Sequence, residues 1–275
     1  MADKRITPAR PDLAAAHLKG KVEAARFVEG EKFSVTHGRA SLRAAPSDDA
    51  PQDSELLFGE SVVQYERKDG WAWVQAKNDH YVGYARADAL GDAMAASFRV
   101  TALVTPVFSA PGVKAPLRDV LPLNAEIPVL ARDGDYIAIA LKRFVHYRHL
   151  APLSEHAADF VSVAERFLGA PYVWGGKTVA GLDCSGLIQT ALQAAGIAAP
   201  RDTDMMEKAL GIPVSRDDIT RGDLVFWKGH MGVMLDKTRL LHANAFHMEV
   251  FVEDLDQAIA RIEKSAGPVT SIKRL

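Results

Sequence analysis

One cysteine, Cys184, occurs in 275 residues. A lone thiol rules out any disulfide within the chain and any cluster of thiolate metal ligands. Long apolar runs are also missing, and none approaches the roughly 20 residues that a helix needs to span a bilayer. The polar start Met1-Ala2-Asp3-Lys4-Arg5-Ile6-Thr7-Pro8 has no apolar core of a secretion signal. Charge of one sign is not in excess, since 33 basic residues stand against 35 acidic ones for a formal net of −2. That balance offers nothing for a phosphate backbone or an anionic lipid surface to hold. The expectation is a cytoplasmic protein with a reduced thiol and neither a nucleic-acid nor a membrane partner. Composition leaves the oligomeric state open, and a monomer is assumed.

The composition that is there, 48% hydrophobic and 25% charged, supplies sizeable cores. The length favours more than one domain. Residues 1–30 read as a mixed lead-in, in which Asp12 caps a short helix over 13–18 that Gly20 stops. From 31 to 92 short apolar stretches such as Trp71-Ala72-Trp73-Val74-Gln75 alternate with Asp-Gly turns, the pattern of hairpins in a small sheet or barrel. A second β segment covers 96–152. Each segment places an Asp-Gly turn before an aromatic strand, Asp69-Gly70-Trp71 and Asp133-Gly134-Asp135-Tyr136, so the two read as a tandem repeat. Residues 155–275 change character. A helix is expected over 160–168, with Phe160, Val163, Ala164, Phe167 and Leu168 on one face. A second opens at Cys184, and consecutive strands follow. This predicts an α+β unit with its helices on one side of an antiparallel sheet.

Cys184 sits in Gly181-Leu182-Asp183-Cys184-Ser185-Gly186, at the mouth of its helix. Unpaired N–H groups and the helix dipole favour negative charge there, which lowers a thiol's pKa. The bland alternative is a small buried hydrophobe. A cysteine nucleophile needs a base, and the base needs a group that fixes its tautomer. His230 opens one expected strand and His242 lies in the next, across the turn Asp236-Lys237-Thr238. Antiparallel pairing around that turn brings the two imidazoles together. In this scheme Cys184 attacks, His230 moves the proton and His242 orients His230. A metal site is the weaker reading of the pair, because no third ligand stands at suitable spacing; no metal or cofactor is expected. The four tryptophans, Trp71, Trp73, Trp174 and Trp227, are read as core or interface packing.

The ordered motifs Pro171-Tyr172-Val173-Trp174-Gly175-Gly176, Asp183-Cys184-Ser185-Gly186, Arg221-Gly222-Asp223-Leu224-Val225-Phe226-Trp227, His230-Met231-Gly232-Val233 and Leu241-His242-Ala243 resemble the NlpC/P60 family of cysteine peptidases. The resemblance implies a papain-like α+β fold with Cys184, His230 and His242 as its catalytic set. Tyr172, Asp183 and Ser185 match family positions lining the subsite before the scissile bond. The two β segments resemble bacterial SH3 (SH3b) domains, which precede the peptidase in the branch that cuts free murein peptides. In that branch an acidic and a tyrosine side chain of the first SH3b domain close the cleft. Tyr81 is the best match for the tyrosine and Glu60 for the acid. The implied substrate is a murein peptide with a free N-terminal L-alanine, cut at the γ-D-glutamyl–diaminopimelate bond. Asp183 or Glu60 would hold its ammonium group. Met206 departs from the family pattern, which usually has Gln there. The rival readings are a lysin acting on intact peptidoglycan, a non-catalytic wall- or partner-binding protein, and a thiol acyltransferase.

Overall fold

The computed structural model describes residues 3–275, and the chain divides into two compact units, Met1–Glu155 and His156–Leu275. In the lead-in, Asp12 does not cap a helix. Its carboxylate binds the Arg10 guanidinium at 2.8 and 3.0 Å, while Ala14–Ala15 pairs as a strand with Phe27–Val28. Only a 3-10 turn, Ala16–Leu18, remains of the expected helix. A helical run this short lacks the bonds to offset the cost of its own nucleation.

The two β segments carry the same strand order, which supports the repeat. In the first, seven antiparallel strands run Gln52–Leu57, Arg39–Arg43, Val82–Arg86, Trp71–Ala76, Ser61–Lys68, Glu31–Val35 and Leu90–Asp92 across the sheet. In the second, Leu117–Pro122, Val104–Phe108, Arg143–His146, Tyr136–Ala140 and Ala131–Asp133 form one sheet, and Glu126–Ile127, Phe98–Val100 and Leu150–Pro152 form another. The split has a local cause. Ser61–Lys68 pairs on both sides and bends at a bulge between Gln64 and Glu66. Its counterpart is interrupted at Pro128, which has no N–H to give a ladder. Among the described residues no ladder closes either segment into the expected barrel. The segments are not independent either. Phe58, from the first, lies in the core of the second with Val100, Val107, Leu121 and Ile127, and its carbonyl accepts the Glu126 N–H at 2.9 Å.

The second unit is built on a six-stranded antiparallel sheet in the order Ile212–Pro213, Ser271–Arg274, Leu224–Trp227, His230–Met234, Arg239–Asn244, Glu249–Asp254. Helix α1, Phe160–Glu165, begins at an Asp159 cap and stops earlier than the apolar spacing predicts. Residues 166–168 continue as a tighter turn with i→i−3 bonds, which swings Leu168 into solvent and leaves Val161 buried instead. Helix α2, Cys184–Ala194, is buried at ten of its positions and packs on the strands that carry the two histidines. Helix α3 is Thr203–Ala209 and α4 is Leu255–Ala266. Residues of α4 share a core with Val225, Trp227, Met234 and Leu240. The alternate residues Leu224, Phe226, Val233 and Leu241 are fully buried outside that core, where α2 packs. Helices therefore cover both faces of the sheet, not one, because the central strand Leu224–Trp227 is apolar and buried at every position, and buries side chains on both faces. Among the described residues no helix is long and apolar enough to cross a membrane.

Candidate active site

Asp183 sets the start of α2. Its Oδ1 accepts the Gly186 N–H at 2.6 Å, an N-cap bond, and its Oδ2 accepts the Gly175 N–H at 2.8 Å. Arg201 donates to both oxygens, at 3.0 and 2.7 Å, with 1% of its side chain exposed. Ser185 joins the cluster, donating to Asp183 at 3.3 Å and accepting from Arg201 at 2.9 Å. These bonds fill the lone-pair positions a carboxylate offers. Asp183 thus braces the nucleophile loop, a different task from the ammonium contact expected of it.

Cys184 is buried, with 6% of its surface exposed. Its Sγ lies 3.7 Å from the Thr203 hydroxyl, at the start of α3, and within reach of the Met231 backbone. The helix-terminus argument predicts a lowered thiol pKa, and the structure reverses it. Burial pushes the thiol up to about 11, the Asp183 charge adds to this, and Thr203, the Met231 backbone and Arg201 offset only part. Tyr172 is half-buried nearby; burial, then the Cys184 and Asp183 charges, push its hydroxyl up.

The hairpin delivers the histidines as the spacing predicts. Val233 pairs with Leu241 and Met234 with Leu240, and His230 Nε2 lies 2.8 Å from His242 Nδ1. Burial pushes His230 down to about 3, helped by His242 and Arg261, while burial also lowers His242. Burial thus disfavours the charged form of both the thiol and the imidazole. No hydrogen bond joins Cys184 to His230 among the described residues; Met231, which touches the thiol, is the next residue in the chain. Such contacts are often long before substrate binds and tighten in the complex.

Three residues near the centre were missed as functional candidates. Arg201 and Thr203 lie in the Pro200–Met205 run, whose charge pattern alone does not distinguish a buried guanidinium from a solvated one. Glu253 accepts from His242 Nε2 at 2.7 Å. Among the described residues, His242, His247 and Glu253 bring ligand atoms within 4.8 Å of one another. Arg261 already donates to Glu253, and a fixed positive charge there opposes a metal ion. Tyr81 and Glu60 are 5% and 2% exposed within the first unit, Tyr81 among its core residues. Trp174, read as packing, is 64% exposed. A cavity of about 560 Å³ in the first unit holds no such chemistry. Its Arg10 is already stacked on Trp73 and bonded to Glu66 and Tyr84.

Residues 169–263 match the model of the NlpC/P60 family, and 42–90 that of the bacterial dipeptidyl-peptidase SH3 domain. Dipeptidyl-peptidase 6 of Lysinibacillus sphaericus is 30% identical over 216 residues, covering 75% of this chain and 72% of that protein. The chain belongs to the NlpC/P60 family. It is a cysteine peptidase of that family, hence a hydrolase. The γ-D-glutamyl-L-lysine dipeptidyl-peptidase of Bacillus subtilis strain 168 is also 30% identical, over 51% of this chain and 52% of that protein, so the chain spans about half its length. The crystal structure of an NlpC/P60 family protein from Bacillus cereus ATCC 10987 shares the fold, with a TM-score of 0.75 at 18% identity, covering 89% of this chain and 99% of that one.

Proposed function

We propose that this NlpC/P60 peptidase hydrolyses murein peptides at the γ-D-glutamyl bond to diaminopimelate, releasing an L-Ala-γ-D-Glu dipeptide, with Cys184 as nucleophile, His230 as base and His242 as its orienting partner. The observation that carries the reading is the His230–His242 bond at 2.8 Å beside a lone, buried thiol. As Cys184 attacks the γ-carbonyl carbon, its proton passes to His230. The backbone N–H of Cys184 stabilises the oxyanion. The C–N bond then breaks and the proton goes to the leaving amine. Water, deprotonated by His230, opens the thioester and frees the thiol. The relatives are named dipeptidyl-peptidases, which supports release of a dipeptide. One of those names specifies lysine after the glutamyl residue, so lysine is the alternative to diaminopimelate.

Tyr172 and Ser185 line the subsite for the dipeptide in this reading. A cytoplasmic site of action belongs to the same proposal. Mass spectrometry of digests tests it, using L-Ala-γ-D-Glu-diaminopimelate, its lysine analogue, the N-acetylated peptide and intact murein. Diaminopimelate release from the free-amine peptide alone is the expected result. Cleavage of intact murein would instead establish a lysin. Preference for the lysine analogue would move the specificity without touching the mechanism.

A further inference from the structure

The hydrogen bonds at the base do not end at His242. His242 pairs across the sheet with Phe251, so Glu253, two residues on, stands on the same face one diagonal step away. Its Oε1 lies 2.7 Å from His242 Nε2, and the same oxygen receives the Arg261 guanidinium from α4. The His242 side chain is fully buried and that of Glu253 nearly so, with 11% exposed. We propose that Glu253, held by Arg261, is a positioning residue that fixes the tautomers of both histidines and leaves Nδ1 of His230 as the atom that takes the thiol proton. The proposal rests on the reading of Cys184 and His230 as nucleophile and base.

Donor counting leads there. An ionised carboxylate only accepts hydrogen bonds. Burial opposes ionisation of Glu253, but the bonds from His242 and Arg261 outweigh it and hold the carboxyl down at about 2. His242 Nε2 must therefore carry a hydrogen. Its ring is neutral, so Nδ1 is a bare acceptor. His230 Nε2, 2.8 Å away, must then donate. His230 is neutral too, and its lone pair remains on Nδ1. When the thiol proton arrives at Nδ1, the imidazolium charge faces a chain of fixed dipoles that ends in a carboxylate. No proton needs to move along that chain. Arg261 keeps Glu253 a poor base, so the proton stays on His242.

Long-range ¹H–¹⁵N correlation spectra of the full chain, with ¹⁵N-labelled histidine, read both tautomers without any substitution. Nε2–H on both His230 and His242 is expected, and Nδ1–H on either ring would overturn the proposal. Glu253→Gln puts an amide opposite His242 that can donate as well as accept, so the order can reverse. The expected result is a fall in kcat on the order of 100-fold or more with KM unchanged, together with a displaced His230 tautomer signal. Glu253→Asp restores an acceptor-only group, and part of the rate should return. Wild-type kcat in a folded Glu253→Gln protein, or no recovery in Glu253→Asp, would assign Glu253 a structural role only. Cys184→Ala serves as the separate control. Hydrolysis by that variant would sink the nucleophile reading, whereas its histidine tautomers should stay as in the wild type.

Discussion

Asp183 with Arg201 and Glu253 with Arg261 are the same chemical pair at two ends of one site. Asp183 takes two parallel bonds from a guanidinium that is 1% exposed, and it also holds the first turn of α2. Glu253 takes Arg261, 25% exposed, on the same oxygen that faces His242. On the nucleophile side the pair is saturated by backbone and side-chain donors, so it fixes where the sulfur stands. On the base side one oxygen is shared with a ring that can carry its hydrogen on either nitrogen. That pair fixes where a proton stands. The same two functional groups therefore act as scaffold or as tautomer control, depending on what else the carboxylate touches.

The most severe way to break the comparison is to remove the atom between the two ends. Cys184→Ala should lower hydrolysis of the free-amine peptide below detection while the thermal midpoint stays near the wild type, because little more than one sulfur atom is lost from a packed site.

Next in size is the contrast between the two arginines. Arg201→Ala strands a buried carboxylate and should cost about 3–5 kcal/mol in denaturant unfolding. Arg261→Ala removes a partly exposed partner from a carboxylate that still faces His242, and should cost about 1–2 kcal/mol. Equal losses would show that the pairs do not differ in kind.

The gentlest probe is pH. The unfolded His230 ring takes a proton below its ordinary 6.5, whereas the folded ring resists down to about 3. Stability should therefore decline as pH falls through that window. Glu253, depressed from 4.5 to about 2, adds stability that is present above 4.5 and lost on falling towards 2. Urea titrations from pH 7 to pH 3 should show the decline, and His230→Gln should flatten its upper part.

Local chemistry made much of this legible in the sequence. The start of α2 and the His230–His242 pairing both follow from residues close together in the chain or across one tight turn. The hairpins around Asp69-Gly70 and Asp133-Gly134 were readable for the same reason. What escaped depended on packing. The thiol pKa was argued from the helix terminus, yet burial beneath α3 and the sheet dominates it. Glu253 and Arg261 sit at a strand end and on α4, and only the register of His242 with Phe251 brings them to the histidines. The two-residue period of a strand puts Glu253 on the face of Phe251, but the identity of the facing strand was needed to use it. The lead-in helix and the end of α1 failed because a few residues of suitable pattern do not specify the turn that tertiary contacts impose.

Pro128 has a consequence beyond the shape of the second β module. In the first module the strand Ser61–Lys68 is hydrogen-bonded on both sides through its bulge, so opening either neighbour disturbs one continuous ladder. In the second, the ladder is cut into a three-stranded and a five-stranded piece. Local opening proceeds in contiguous cooperative units, so amide exchange should show two protected units in the second module where the first shows one. Two copies of one architecture thus differ in how they come apart, and a single imino acid draws the line.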